Sequence, residues 1–221
     1  CDIQMGSIRR STGDTTNEEK AQFEICAHKY VALTEKSHSA ALINNGKYGH
    51  RVKGNRISLN LLRTPVYPDR KADRGKHHFI YGLHLHKGET DVETLAYSYA
   101  LNKPLIKVEE IKKTVIKSTG IKITGTATGT AQNRPIVQTT NPNVVVETIK
   151  VAWEEDGVIL RLFESQGKRA VCKLETIFKV TKAFETDLME RKPKEITLDA
   201  LVFTPYEKKT IKLEVVRARK A

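Results

Sequence analysis

Alternation of apolar and polar residues with a period of two recurs along this 221-residue chain, and it restricts the fold more than any other feature. Phe23, Ile25 and Ala27 alternate with Glu24, Cys26 and His28. Ile57, Leu59 and Leu61 alternate with Ser58 and Asn60. Phe79, Tyr81, Leu83 and Leu85 alternate with His78, Ile80, His84 and His86. Val158, Leu160 and Leu162 form one face, as do Ile211, Leu213 and Val215, opposed by Lys212 and Glu214. Successive side chains of a strand point to opposite faces, so each segment reads as a half-buried strand. Val144–Val146 and Leu201–Phe203 are short apolar runs that fit buried strands.

One segment has a different period. Val92, Leu95, Ala96 and Tyr99 fall at i, i+3, i+4 and i+7, which predicts one short helix near 90–101. Thr90 or Asp91 could cap it, and Asn102-Lys103-Pro104 ends it. Strands without alternating helices imply an all-β fold built as sandwiches. Gly120–Asn133 (GIKITGTATGTAQN) reads as a loop or exposed hairpin. No Gly-Lys-Ser/Thr follows its glycines, so it fails the P-loop template for a phosphate cradle. The expected organisation is a first β region over 1–105, a linker or connecting hairpin over 106–140, and a smaller β-sandwich over 141–221.

No apolar run approaches the roughly 20 residues that a membrane-spanning helix requires. The apolar residues are spread along the whole chain, which argues against intrinsic disorder. The formal net charge is +12, and it is uneven. Between Lys47 and Lys87 stand ten Lys/Arg against Asp69 and Asp73, with five of the seven His. Such a window suits a phosphate-binding surface or a solvated basic face. No helix-turn-helix, zinc finger or RNP pattern accompanies it, so nucleic acid is disfavoured. Cys1, Cys26 and Cys172 have no Cys-x-x-Cys spacing, and there is no Asn-x-Ser/Thr acceptor. Both features fit a reducing, cytoplasmic setting. A first residue of Cys rather than Met suggests a cut from a longer polypeptide.

Local chemistry offers little else. His84 and His86 share one strand face and could contribute to zinc, but no third ligand is evident. Outward-facing polar residues explain the pair more simply. No nucleophile elbow, His-Glu-x-x-His motif or Cys/His arrangement occurs.

Four stretches read together do point to a family. They are FEICAHKYVAL (23–33), AALINNGKYGHRVKGNRISLNLLRTPVYPD (40–69), KADRGKHHFIYGLHLHKG (71–88) with YALNKPL (99–105), and TTNPNVVVETIKVAWEEDGVILRLFESQGKR (139–169). Together with the ending DALVFTPYEKKTIKLEV (199–215), they resemble the C-terminal β region of glycoside hydrolase family 38, in its bacterial, cytosolic and vacuolar branch. The resemblance implies part of a large β-supersandwich followed by a smaller C-terminal sandwich. It implies a retaining α-mannosidase acting on terminal α-linked mannose, with an Asp nucleophile and a second carboxyl as acid. The nucleophile and the ligands of a divalent metal, usually zinc, would lie in an N-terminal barrel outside this chain. This chain would then hold no catalytic residue and no cofactor of its own.

The same resemblance singles out five residues. An Asn-Asp-x-Lys-Tyr-Gly motif falls on Asn44, Asn45, Lys47, Tyr48 and Gly49, with Asn45 where the branch usually has Asp. An Ala-Asp-x-Gly-x-His motif falls on Ala72, Asp73, Gly75 and His77, with Arg74 inside it. Lys47 and Arg74 could donate to sugar hydroxyls, Asp73 could accept from them, Tyr48 could stack on a pyranose, and Asn45 keeps the shape of Asp without its charge. Each could instead build a turn or pack between domains. The implied partners are the N-terminal catalytic domain of the same polypeptide and a mannose-containing oligosaccharide, with a homo-oligomer left open. The alternative is a free-standing carbohydrate-binding β-sandwich.

Overall fold

The computed structural model describes residues 1–89, 92–104, 135–153 and 156–216. The expected cap at Thr90 or Asp91 and the Gly/Thr-rich segment 120–133 lie outside them. The chain divides into two compact units, Cys1–Ile106 and Lys107–Ala221.

In the first unit the elements are, in order, β1 (Asp2–Ile3), β2 (Gly6–Ser7), α1 (Asn17–Ala21), β3 (Ile25–Cys26), β4 (Tyr30–Thr34), β5 (His38–Asn44), β6 (Gly49–Lys53), β7 (Arg56–Leu59), β8 (Tyr81–Lys87) and α2 (Val92–Asn102). β4, β5 and β8 form one antiparallel sheet with β5 central; β3, β6 and β7 form another. Helix α2 packs on β5 and β4. The expected one short helix is thus joined by a second of five residues. Its signal was present in the sequence as Thr16-x-x-Glu19, a capping box. The Thr16 hydroxyl accepts from the Glu19 amide, and the Glu19 carboxylate accepts from the Thr16 amide.

α2 buries a different face from the one its apolar spacing suggests. Thr94, Leu95 and Ser98 are buried and Ala96 is exposed. The two small polar residues can be buried because both are hydrogen-bonded. Thr94 Oγ1 shares a bond with His84 Nδ1 at 2.9 Å, and Ser98 Oγ donates to the Leu95 carbonyl at 2.7 Å.

The same contacts reverse β8. Tyr81 and Phe79 were expected to point inward and His84 and His86 outward. Instead Tyr81, Leu83 and Leu85 are 59, 68 and 68% exposed. The His84 ring lies edge-on to Tyr97 of α2 at 4.8 Å and stacks on His86 at 5.1 Å. The side with the hydrogen-bonding partners takes the helix, and the apolar side is left open. Leu83 pairs across the strands with Leu42 and Leu85 with Ala40, and these pair with Val31 and Leu33. An apolar sheet face therefore continues across all three strands.

In the second unit follow β9 (Val137–Thr139), β10 (Val144–Val151), β11 (Val158–Glu164), β12 (Ala170–Cys172), β13 (Leu174–Thr176), β14 (Val180–Thr186), β15 (Lys194–Glu195), β16 (Leu201–Phe203) and β17 (Lys208–Val215). A five-stranded antiparallel sheet runs β10-β11-β17-β14-β15, beside the pairs β12–β16 and β9–β13. Inward residues from these strands, among them Val144, Leu160, Leu162, Cys172, Leu174, Phe203, Ile211 and Leu213, make one core. This is a sandwich held by inter-sheet apolar contact, each large side chain contributing about 1.5–3 kcal/mol by leaving water. Among the described residues the fold is all-β apart from the two helices.

Candidate functional site

The two motif loops sit at the ends of strands in the first unit. The first joins β5 to β6. Asn44 ends β5 with no exposed surface. Its Nδ2 donates to the His28 carbonyl at 2.9 Å, and its Oδ1 accepts from the Lys47 amide at 2.7 Å. Its own carbonyl accepts from Asn102 Nδ2 of α2 at 2.9 Å. Gly46 supplies the left-handed backbone (φ 75°) that reverses the chain, with open space around it. The Asn45 side chain is therefore carried outward on a fixed turn, and the Asn45 backbone N–H donates to the Ile80 carbonyl at 3.1 Å.

The second loop belongs to the stretch between β7 and β8, which has no helix or strand of its own. Around its motif, the Ala72 amide donates to the Asp69 carbonyl at 3.2 Å and the Arg74 amide to the Lys71 carbonyl at 3.1 Å. Asp73 takes a left-handed conformation (φ 58°), and its Oδ2 accepts from the Thr64 amide at 2.9 Å. His77 Nε2 donates to the Asp73 carbonyl at 2.8 Å, which fixes the proton on that nitrogen.

The loops meet through aromatic rings. His77 stacks on Phe79, with centroids 6.0 Å apart and planes 4° from parallel. The Lys47 ammonium stands 4.8 Å over the Phe79 ring. Tyr48 is exposed, tilted against His28 at 5.4 Å. Arg74 is exposed, and its guanidinium makes no hydrogen bond or ion pair with another described residue. Asn45, Lys47 and Tyr48 thus stand on one loop and Asp73 and Arg74 on the other, with Phe79 and His77 between. One Asp73 oxygen is committed to the Thr64 amide, so this carboxylate also builds its turn.

Beneath the first loop lies His50, buried beside the Asn44 amide and the Tyr48 carbonyl. Burial lowers its pKa below the usual 6.5, outweighing the hydrogen bond to Tyr48 that would raise it. Sequence reasoning passed over His50, whereas a turn signal over Asn44, Asn45 and Gly46 is legible in the residues. It also passed over Phe79 as the ring joining the loops. The ten basic residues of the 47–87 window are exposed, apart from the half-buried Lys47. Among the described residues no group of three or more His, Cys, Asp and Glu side chains could hold a metal ion. His84 instead packs against Thr94 and Tyr97 of α2, with His86 stacked on it. No described helix is long and apolar enough to cross a membrane.

Residues 1–71 match the family model "Glycosyl hydrolases family 38 C-terminal domain". Residues 143–211 match "Glycosyl hydrolases family 38 C-terminal beta sandwich domain". The chain belongs to glycoside hydrolase family 38, in its C-terminal region. It is 34% identical over 222 residues to alpha-mannosidase 2C1 of Mus musculus, covering 96% of this chain and 20% of that protein. Alpha-mannosidase G of Dictyostelium discoideum is 32% identical over 167 residues, 75% of this chain and 14% of its own. The chain thus spans about a fifth or less of the curated relatives it matches. A crystal structure of an alpha-mannosidase from Enterococcus faecalis V583 superposes with a TM-score of 0.71 at 18% identity, over 96% of this chain and 24% of that one. At that identity the likeness speaks for the family 38 fold alone.

Proposed function

We propose that this chain is the C-terminal β region of a retaining α-mannosidase, and that its loops 44–49 and 72–77 complete the sugar pocket of a catalytic domain elsewhere in the polypeptide. Both family models support the first part, as do relatives named alpha-mannosidases over nearly the whole chain. The observation that carries the second is the junction of the loops. Lys47, Phe79, His77 and the Asp73 carbonyl link them in a chain of ring and hydrogen-bond contacts. Polar side chains on such a rigid platform suit hydroxyl recognition without reordering. Lys47 and Arg74 donate to hydroxyls, Tyr48 offers a stacking face, Asn45 donates and accepts, and the second Asp73 oxygen accepts.

The described residues do not fit zinc, so the metal, the nucleophile and the acid belong to the N-terminal domain in this reading. That domain is also the main partner. The open apolar face of Tyr81, Leu83 and Leu85 supports burial against it, because the face of a sheet that meets water is ordinarily polar. Three free cysteines support a cytoplasmic setting.

The test is Arg74→Ala in the complete polypeptide, with kcat/KM on an aryl α-mannoside and thermal stability measured on the same preparation. Loss of a charged hydrogen bond to substrate, about 1.5–3 kcal/mol, lowers kcat/KM by about tenfold to a hundredfold with the melting temperature unchanged. Unchanged kcat/KM in a destabilised protein would make Arg74 a turn residue.

A further inference from the structure

The second unit carries an aromatic surface that the reading above does not use. Trp153, the one tryptophan of the chain, follows the end of β10 and is 83% exposed. Beside it runs the loop 187–191, where Leu188 and Met189 are also exposed. That loop is held closed by its own hydrogen bonds. The Asp187 carboxylate accepts from the Met189 amide at 3.0 Å and the Arg191 amide at 2.8 Å. The Asp187 amide donates to the Arg191 carbonyl at 3.0 Å. Glu190, with φ 65°, reaches back to the hairpin, its Oε2 accepting from the Trp153 amide at 2.7 Å and its Oε1 paired with the Lys150 ammonium. The backbone at Trp153 and the loop are thereby fixed to one another. Between them opens a pocket of about 160 Å³, lined by Trp153, Met189, Glu190, Arg191, Pro193 and Lys212.

We infer that this pocket is a carbohydrate-binding site that takes one pyranose ring of a glycan against the face of Trp153. The match is chemical. A pyranose has an apolar C–H face and a rim of hydroxyls that both donate and accept. The indole, Met189 and Pro193 offer an apolar surface for the first. Arg191 offers donors and Glu190 an acceptor for the second. The two bonds already made to Glu190 use one lone-pair position on each oxygen and leave the other. A protein segment is a poorer occupant, because interface centres are depleted of charge and this small pocket has a carboxylate and two cations in its walls. A free anion would leave the indole, Met189 and Pro193 without a partner. The loop and the backbone beneath the indole are already held by these hydrogen bonds, so binding costs ordering of few side chains.

The experiment titrates the 221-residue chain with methyl α-mannopyranoside and with α-mannobiose. Binding is read by saturation-transfer NMR and by tryptophan fluorescence, which reports this pocket alone. The expected result is a saturable fluorescence change with a dissociation constant of about a millimolar. Trp153→Phe keeps a stacking face and retains binding. Trp153→Ala weakens it at least about tenfold by NMR, with the melting temperature near wild type because the side chain is largely in water. Should Trp153→Ala disturb the fold, Arg191→Ala gives the reading instead, with binding severalfold weaker. No saturable response to either sugar overturns the inference, as does binding that Trp153→Ala, or Arg191→Ala in its place, leaves intact. None of these outcomes depends on catalytic activity, so they stand apart from the test of Arg74.

Discussion

Single buried polar residues hold both units in register, and they do so by receiving or donating several hydrogen bonds at once. Glu164 is the clearest case. It has no exposed surface, and its carboxylate accepts from the amides of Gln166 (2.8 Å), Lys168 (3.1 Å) and Tyr206 (3.0 Å). It joins the turn after β11 to the one before β17. Glu164→Ala removes the acceptor of three part-buried amides at once, and a buried orphan costs about 1–3 kcal/mol, so denaturant unfolding should show a loss of at least about 2 kcal/mol. His50 plays a related part under the 44–49 loop, with a titration attached. Its folded pKa is depressed, so its neutral form contributes stability that is fully present above its ordinary value near 6.5. That contribution is lost as pH falls from there through the lower folded value. A melting-temperature difference between wild type and His50→Gln should therefore shrink as pH drops from 7.5 to 5; a difference independent of pH would mean that His50 does not titrate in this window.

At the scale of elements, β8 shows where a period-two pattern stops being informative. The alternation correctly gives a strand over Tyr81–Lys87. It cannot give which side meets the rest of the unit, because that depends on whether a helix covers the apolar or the polar side. Here α2 covers the histidine side, through Thr94 and Tyr97, and three large apolar residues are left to water. The same choice explains why α2 buries Thr94 and Ser98 rather than Ala96. In the second unit no such competition exists: both sides of β11 are mostly apolar and, Arg161 apart, buried, and Val158, Leu160 and Leu162 lie in the core as expected. The candidate site was legible only through its loop motifs. The Gly46 turn can be read from the residues, but the joining of the loops by Phe79 requires tertiary contact. If the apolar face of β8 is covered by the N-terminal part of the polypeptide, Leu83→Lys and Leu85→Lys will behave differently in two settings. In the 221-residue chain each changes stability by no more than about 0.5 kcal/mol. In the complete polypeptide each costs about 1.5–3 kcal/mol or more, the value of burying a leucine. Thermal melts of both forms decide it, and equal small effects in both would leave that face in water throughout.

At the scale of the whole molecule, the division of labour proposed for the family 38 polypeptide makes a strict demand on this chain. Retaining hydrolysis of a glycoside needs two carboxyl groups flanking the scissile bond, one to attack and one to protonate the leaving oxygen. Side chains that bind and orient a sugar cannot replace them, since they stabilise substrate and transition state alike. The loops 44–49 and 72–77 offer the orienting kind: a lysine, an arginine, a tyrosine, an asparagine and one aspartate already bonded to the Thr64 amide. With Asn45 where the family branch usually has Asp, the first loop contributes no carboxylate. Zinc would not repair this, because no cluster of ligands stands among the described residues. The 221-residue chain should therefore give no turnover of an aryl α-mannoside, and added zinc should change neither that result nor its melting temperature. Mixing it with a separately produced N-terminal part tests the complement. Activity recovered by the mixture, reduced when the β part carries Arg74→Ala or Leu83→Lys, would place both the pocket loops and the apolar face in one composite enzyme. Turnover by the isolated chain, free of any longer form, would mean instead that the acid and the nucleophile lie within these 221 residues.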